Sequence, residues 1–131
     1  LQTPARPPAG EPVIRVSAMP ADTNCYGDIF GGWLVSLMDQ GAGLLAAHHA
    51  RGRAVTVAMD GMQFLMPVSI GDEVSVYARL LNTGRSSMSI AVESWRRHRY
   101  EDEAVKVTEA VFTFVAVDDN GRPRAILPEP A

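Results

Sequence analysis

Cysteine is almost missing from these 131 residues: Cys25 is the only one. One thiol excludes an internal disulfide and fits a reducing compartment. A basic excess is missing too. Lys and Arg number 12 against 15 Asp and Glu, leaving a net charge of −3, which sets aside a nucleic-acid binder. There is no apolar run of membrane length. The longest, Ile29 to Ala47, is short, rich in Gly and interrupted by an Asp. No secretory leader pattern is read either, so a cytoplasmic protein that does not engage a membrane is expected. Histidine is scarce. His48 and His49 adjoin at the end of a predicted helix, where they suit its negative pole, and lack the spacing of a metal site. No metal and no separate cofactor are expected.

Proline is plentiful in one place. Pro4, Pro7, Pro8 and Pro12 mark residues 1–12 as an extended or disordered arm. Residues 13–128 read as one domain and 129–131 as a tail. With 47% hydrophobic residues the chain can bury a core.

The organising stretch runs from Gly27 to Ala47. From Ile29 onward it is apolar or small, with Ser36, Gln40 and a single charge, Asp39, as exceptions. A strand rarely exceeds ten residues, so length predicts a helix from about Gly31 to His49. Apolar nearly all round, it reads as a core helix. Leu34, Leu37, Met38, Gly41 and Leu45 are placed on one side, with Gly32 and Asp39 opposite. Arg51-Gly52-Arg53 reads as a turn with a glycine C-cap.

The remainder reads as strands: Val13–Met19 before the helix, then Ala54–Leu65 with Gly61 as a bulge or close approach. Glu73–Leu81 and Ser87–Arg97 follow, joined by a hairpin at Asn82-Thr83-Gly84-Arg85. Ala104–Val117 is the longest. Alternation places Val105, Val107, Glu109, Val111, Thr113 and Val115 on one face of it, and Ala110, Phe112, Phe114 and Ala116 on the other. One long helix after the first strand, followed by four antiparallel strands, is an α+β pattern. The helix fits best on the concave face of a curved sheet, the hotdog architecture.

Asp39 has two readings. It is a carboxylate on the helix's one wet side, or a catalytic acid or base. Gly31-Gly32 at the helix start offers free N–H groups and the positive dipole end to a developing negative charge. Two turns separate Gly32 from Asp39, roughly 10 Å of axis. One carbonyl cannot sit about 3 Å from both. A shared site therefore draws the two residues from two copies of the chain, across a two-fold interface.

Three runs then carry a resemblance: Met19-Pro20-Ala21-Asp22-Thr23-Asn24, Gly27-Asp28-Ile29-Phe30-Gly31-Gly32-Trp33 and Met38-Asp39. With Val55-Thr56-Val57, Phe64, Pro67-Val68, Gly71-Asp72, Gly84-Arg85-Ser86-Ser87 and Thr108 to Asp118, they resemble the YciA-type acyl-CoA thioesterases. These are hotdog proteins related to the brain-type acyl-CoA hydrolases, and the likeness spans about Val13 to Pro128. It implies hydrolysis of acyl-CoA, with coenzyme A entering as part of the substrate, in homodimers that assemble into a trimer of dimers. It implies Asp39 as general base or nucleophile and the Gly32 amide, beside Gly31, as the group polarising the carbonyl. It places Asp28 near the thioester in the facing subunit, with Asn24 in the same loop. Helix capping is the alternative role for Asp28. Arg85, Ser86 and Ser87 suit a CoA phosphate, and Arg96-Arg97-His98-Arg99 is a secondary candidate.

One departure stands out. Relatives commonly carry Lys or Arg where Met66 stands. Cys25 lies in the same loop as Asn24 without a nearby His motif, so no nucleophilic role is assigned to it. A non-catalytic acyl-CoA sensor is the competing reading, and Asp39 argues against it. Hotdog dehydratases use a His on the helix or its entry loop, and none stands between Leu1 and Ala47.

Overall fold

The structure is a computed structural model that describes residues 6–126. Residues 1–5 of the expected extended or disordered arm, residues 127–128 of the expected domain and the expected tail at 129–131 lie outside the described residues. Strand β1 is Ile14–Ser17, a 3-10 turn covers Pro20–Asp22, and helix α1 is Gly31–Ala50. Then come β2 (Ala54–Phe64), β3 (Glu73–Thr83), β4 (Ser87–Arg97) and β5 (Ala104–Ala116). All neighbours pair antiparallel in the order β1-β3-β4-β5-β2. The helix lies on one face of the sheet and touches β2, β3, β4 and β5. This is the expected α+β hotdog arrangement.

Alternation in the strands builds the core. Val74 and Val76 of β3, Met88, Ile90 and Val92 of β4, and Phe112 and Phe114 of β5 are buried against Leu34, Met38, Ala42 and Ala46 of α1. The helix crosses β1 and β3 at Gly41. A Cβ there would sit 2.7 Å from Val13 Cγ2 and 3.1 Å from Val76 Cγ1, so the approach requires a residue without a side chain. At Gly61 (φ 66°) β2 departs from regular pairing, with a register shift between Asp60 and Gln63, as the sequence suggested.

Three expectations are corrected and one alternative is set aside. The helix is not buried all round. Ser36, Gln40, Leu44, Ala47 and His48 form an exposed stripe, because one sheet can cover only one side of a cylinder. In β5, Val107 is fully buried although Val111 and Thr113 are not. The pairing steps from Ser94–Thr108 to Trp95–Lys106, leaving Val107 as an extra residue that inverts the alternation. At the helix C-terminus the left-handed residue is Arg51 (φ 55°), not a glycine. Gly52 makes room for Arg124 instead, whose guanidinium donates to Ala50 O at 2.8 Å and to Val117 O at 3.2 Å. Finally, Asp28 does not cap the helix. Phe30 is the N-cap, with no side-chain capping bond.

Strand β2 is an edge. Val55, Val57 and Met59 are exposed along it. Ahead of β1 the chain runs along the outer face of the sheet, where Pro8, Ala9 and Glu11 border a hollow with Tyr77, Arg79 and Glu93.

Candidate active site

Asp39 sits midway along α1, half-buried on the side facing β2. Its Oδ1 accepts a hydrogen bond of 2.6 Å from Thr56 Oγ1. Among the described residues no cation pairs with it. The short bond fixes one carboxylate oxygen and leaves the other with lone pairs to spare. Asp39 is therefore neither freely solvated nor neutralised. It is a carboxylate held in position by one neutral donor.

Thr56 was not foreseen as part of the site. The signal was present in Val55-Thr56-Val57, where alternation puts the hydroxyl on the face opposite two exposed valines. Nothing in the sequence said which helix turn that face would meet.

The helix N-terminus is bare. Gly32 is exposed, and a Cβ built on it would meet nothing within 4 Å. The chain's own packing does not require a glycine there. Gly31 differs: its Cβ would stand 3.2 Å from the Phe64 ring, which lies over the first turn. Around that turn opens a cleft of about 350 Å³, lined by Ile29, Gly31, Leu34, Phe64, Met66 and Val68 among others. Phe64 and Leu65 thus face the cleft, whereas Met62 packs on the core and Met59 stays on the exposed edge. Met66 forms part of the apolar wall.

Asn24 organises the loop that enters the helix. Its Oδ1 accepts from the Tyr26 and Asp28 amides at 2.9 and 3.1 Å, and its own N–H donates to Asp28 O at 2.7 Å. Asp28 is thereby held beside the helix start, exposed, with a carboxylate that has no partner among the described residues. Cys25 is exposed in the same loop.

Not every candidate is brought together. Gly31, Gly32, Asp28 and Asn24 gather at one end of the helix. Arg85, Ser86 and Ser87 sit in the β3–β4 turn at the other end, where Ser86 O accepts from Ala116 N and Arg85 O from Ile126 N. A helix of 20 residues separates the two ends by roughly 30 Å. Arg96 and Arg99 are at the near end, bonded to Pro67 O and Gly71 O. A larger hollow of about 580 Å³ lies over Trp95 on the sheet's outer face and touches neither Asp39 nor Gly32.

With this geometry in view, residues 26–102 match the thioesterase superfamily. The chain belongs to the thioesterase superfamily. An uncharacterised acyl-CoA thioester hydrolase of Zymomonas mobilis is 57% identical over 121 residues, covering 92% of this chain and 81% of that one. The acyl-CoA thioester hydrolase YciA of Escherichia coli is 51% identical over 122 residues, covering 91% and 92%. The crystal structure of a hexameric thioesterase from Yersinia pestis superposes with a TM-score of 0.88 at 53% identity, covering 93% and 99%. Within a thioesterase, a bare helix start beside an apolar cleft is a place for a carbonyl carrying an acyl chain. Among the described residues no helix is long and apolar enough to cross a membrane.

Proposed function

We propose that this thioesterase hydrolyses acyl-CoA, taking up one water and releasing a carboxylic acid and coenzyme A. The observation that carries the reading is on α1: a sterically open helix start at Gly32 and a half-buried carboxylate at Asp39 that Thr56 holds in place. The names of the relatives support the substrate class. No redox step or group carrier is needed, and coenzyme A enters only as part of the substrate.

The thioester carbonyl lies against the Gly32 N–H, with Gly31 beside it. An amide there strengthens its bond as the carbonyl oxygen gains charge, a contribution of roughly 3–4 kcal/mol per donor in comparable sites. Asp39 either takes a proton from the attacking water or attacks the carbonyl itself. In the second route the thiolate leaves and water cleaves the mixed anhydride. Asp28, held by Asn24, orients the water or the thioester.

Because Gly32 and Asp39 are two turns apart, each site takes Asp39 from one copy and the helix start from another. The open β2 edge and the exposed stripe through Leu44 are the surfaces for this pairing, and three such dimers form a hexamer. Arg85, Ser86 and Ser87 hold a phosphate of coenzyme A, and the enzyme works in the cytoplasm.

The test is thiol release from acetyl-, butyryl- and palmitoyl-CoA by wild type and Asp39→Ala. Release by wild type with a drop of roughly a hundredfold or more in a folded variant is expected. Equal rates would remove Asp39 from the chemistry, and no release at all would overturn the reading.

A further inference from the structure

The wall of the cleft is fastened from behind. Residues 66–68 line it, and the turn that follows ends at Asp72, which is only 3% exposed. Asp72 Oδ2 accepts from the Ser69 amide at 2.9 Å. Its other oxygen, Oδ1, lies 2.7 Å from His98 Nδ1. On the far side of the ring, His98 Nε2 lies 3.0 Å from Arg96 Nη1. Arg96 in turn donates through Nε to Pro67 O at 2.8 Å. The chain of contacts leaves the turn at Asp72, crosses the imidazole and returns to the cleft wall at Pro67.

Only one protonation pattern satisfies it. A guanidinium can only donate, so Nε2 must accept, and Nδ1 carries the proton it gives to Asp72. The ring in this arrangement is neutral. A proton added at Nε2 would set an N–H donor against the Arg96 N–H groups and place two positive charges in contact. The charged groups around the ring are Asp72 and Arg96 in contact, and Arg99, whose Nε donates to Gly71 O at 3.2 Å. Glu73, next along the chain, is engaged by Arg15 and Arg97.

We propose that His98 is a positioning residue for the substrate cleft. By bridging Asp72 to Arg96 it fixes the Met66–Val68 wall and thereby sets substrate affinity, without touching the reacting atoms. The proposal rests on the thioesterase reading and adds a residue to it.

The test uses butyryl-CoA hydrolysis by wild type, His98→Leu, His98→Gln and Arg96→Leu, with thermal unfolding to show that each is folded. Glutamine can donate to Asp72 and accept from Arg96 with one amide. His98→Leu and Arg96→Leu raise KM roughly tenfold, the scale of one lost charge-assisted bond, with kcat within about twofold of wild type. His98→Gln keeps the wild-type KM at neutral pH. The proposal is overturned if both leucine variants keep the wild-type KM, if Gln is as damaging as Leu, or if kcat falls in place of affinity. Thiol release by wild type with these outcomes would refute the positioning role alone. No release by wild type would refute the thioesterase reading on which it rests.

Discussion

Replacing Thr56 with Val is the most informative single change near Asp39. The two side chains have nearly the same shape, so the half-buried position on β2 stays filled, and Val suits a strand at least as well. What disappears is the 2.6 Å bond to Asp39 Oδ1. A hydrogen bond to a charged group is worth about 1.5–3 kcal/mol. If that energy serves to hold the carboxylate in its reactive orientation, the loss appears in kcat. At about 1.4 kcal/mol per decade it amounts to a drop of roughly ten- to 150-fold. The assay is thiol release from butyryl-CoA across a range of concentrations, with Thr56→Ser as the control that restores the hydroxyl. Because Thr56 acts through Asp39, Thr56→Val in an Asp39→Ala background should cost nothing further. A Thr56→Val enzyme within twofold of wild type, or a Ser variant no better than Val, would refute the idea that this bond orients the catalytic group.

Gly32→Ala should fold with an unchanged melting temperature, since the added methyl meets nothing within 4 Å in the chain. Its turnover should nonetheless fall by roughly a hundredfold, the cost of displacing a reacting group by about an ångström; an active Gly32→Ala enzyme would mean that no substrate approaches that amide. Lys106 gives a stability prediction. Burial pulls its pKa down, but the bond it donates to Glu109 and the charge of Glu93 more than offset this, so the net shift is upward from 10.5. A raised folded-state value means its contribution is complete below the unfolded value of about 10.5 and fades as pH rises through the folded one. Urea unfolding of wild type and Lys106→Met should therefore differ at neutral pH and converge in strong alkali; a gap that widened with pH would reverse the sign.

Much of the architecture was legible because one feature was extreme. A run of 19 residues, apolar or small apart from Ser36, Asp39 and Gln40, is too long for a strand, and the single charge inside it draws the eye to Asp39. Strand alternation then supplied most of the sheet. What escaped had a common cause: each depended on which surfaces meet. The exposed stripe carries Ser36, Gln40 and His48, but Leu44 and Ala47 between them blur its contrast with the buried side. The extra residue at Val107 moved a valine from one face to the other without any Gly or Pro to announce it. Thr56 reaches Asp39 across 17 positions, a partnership set by how α1 lies on β2. The imidazole of His98 looked like one member of a solvated basic run, and only the turn ending at Asp72 gives it a partner on each side.

The open edge of β2 has a kinetic corollary. If the active centre is completed by a second copy, as proposed above, it obeys the law of mass action. Its specific activity should fall on dilution once the pairing equilibrium is reached, and recover on reconcentration. The row of unpaired backbone groups beside Val55, Val57 and Met59 would then be the titratable half of a switch whose signal is the abundance of the enzyme itself.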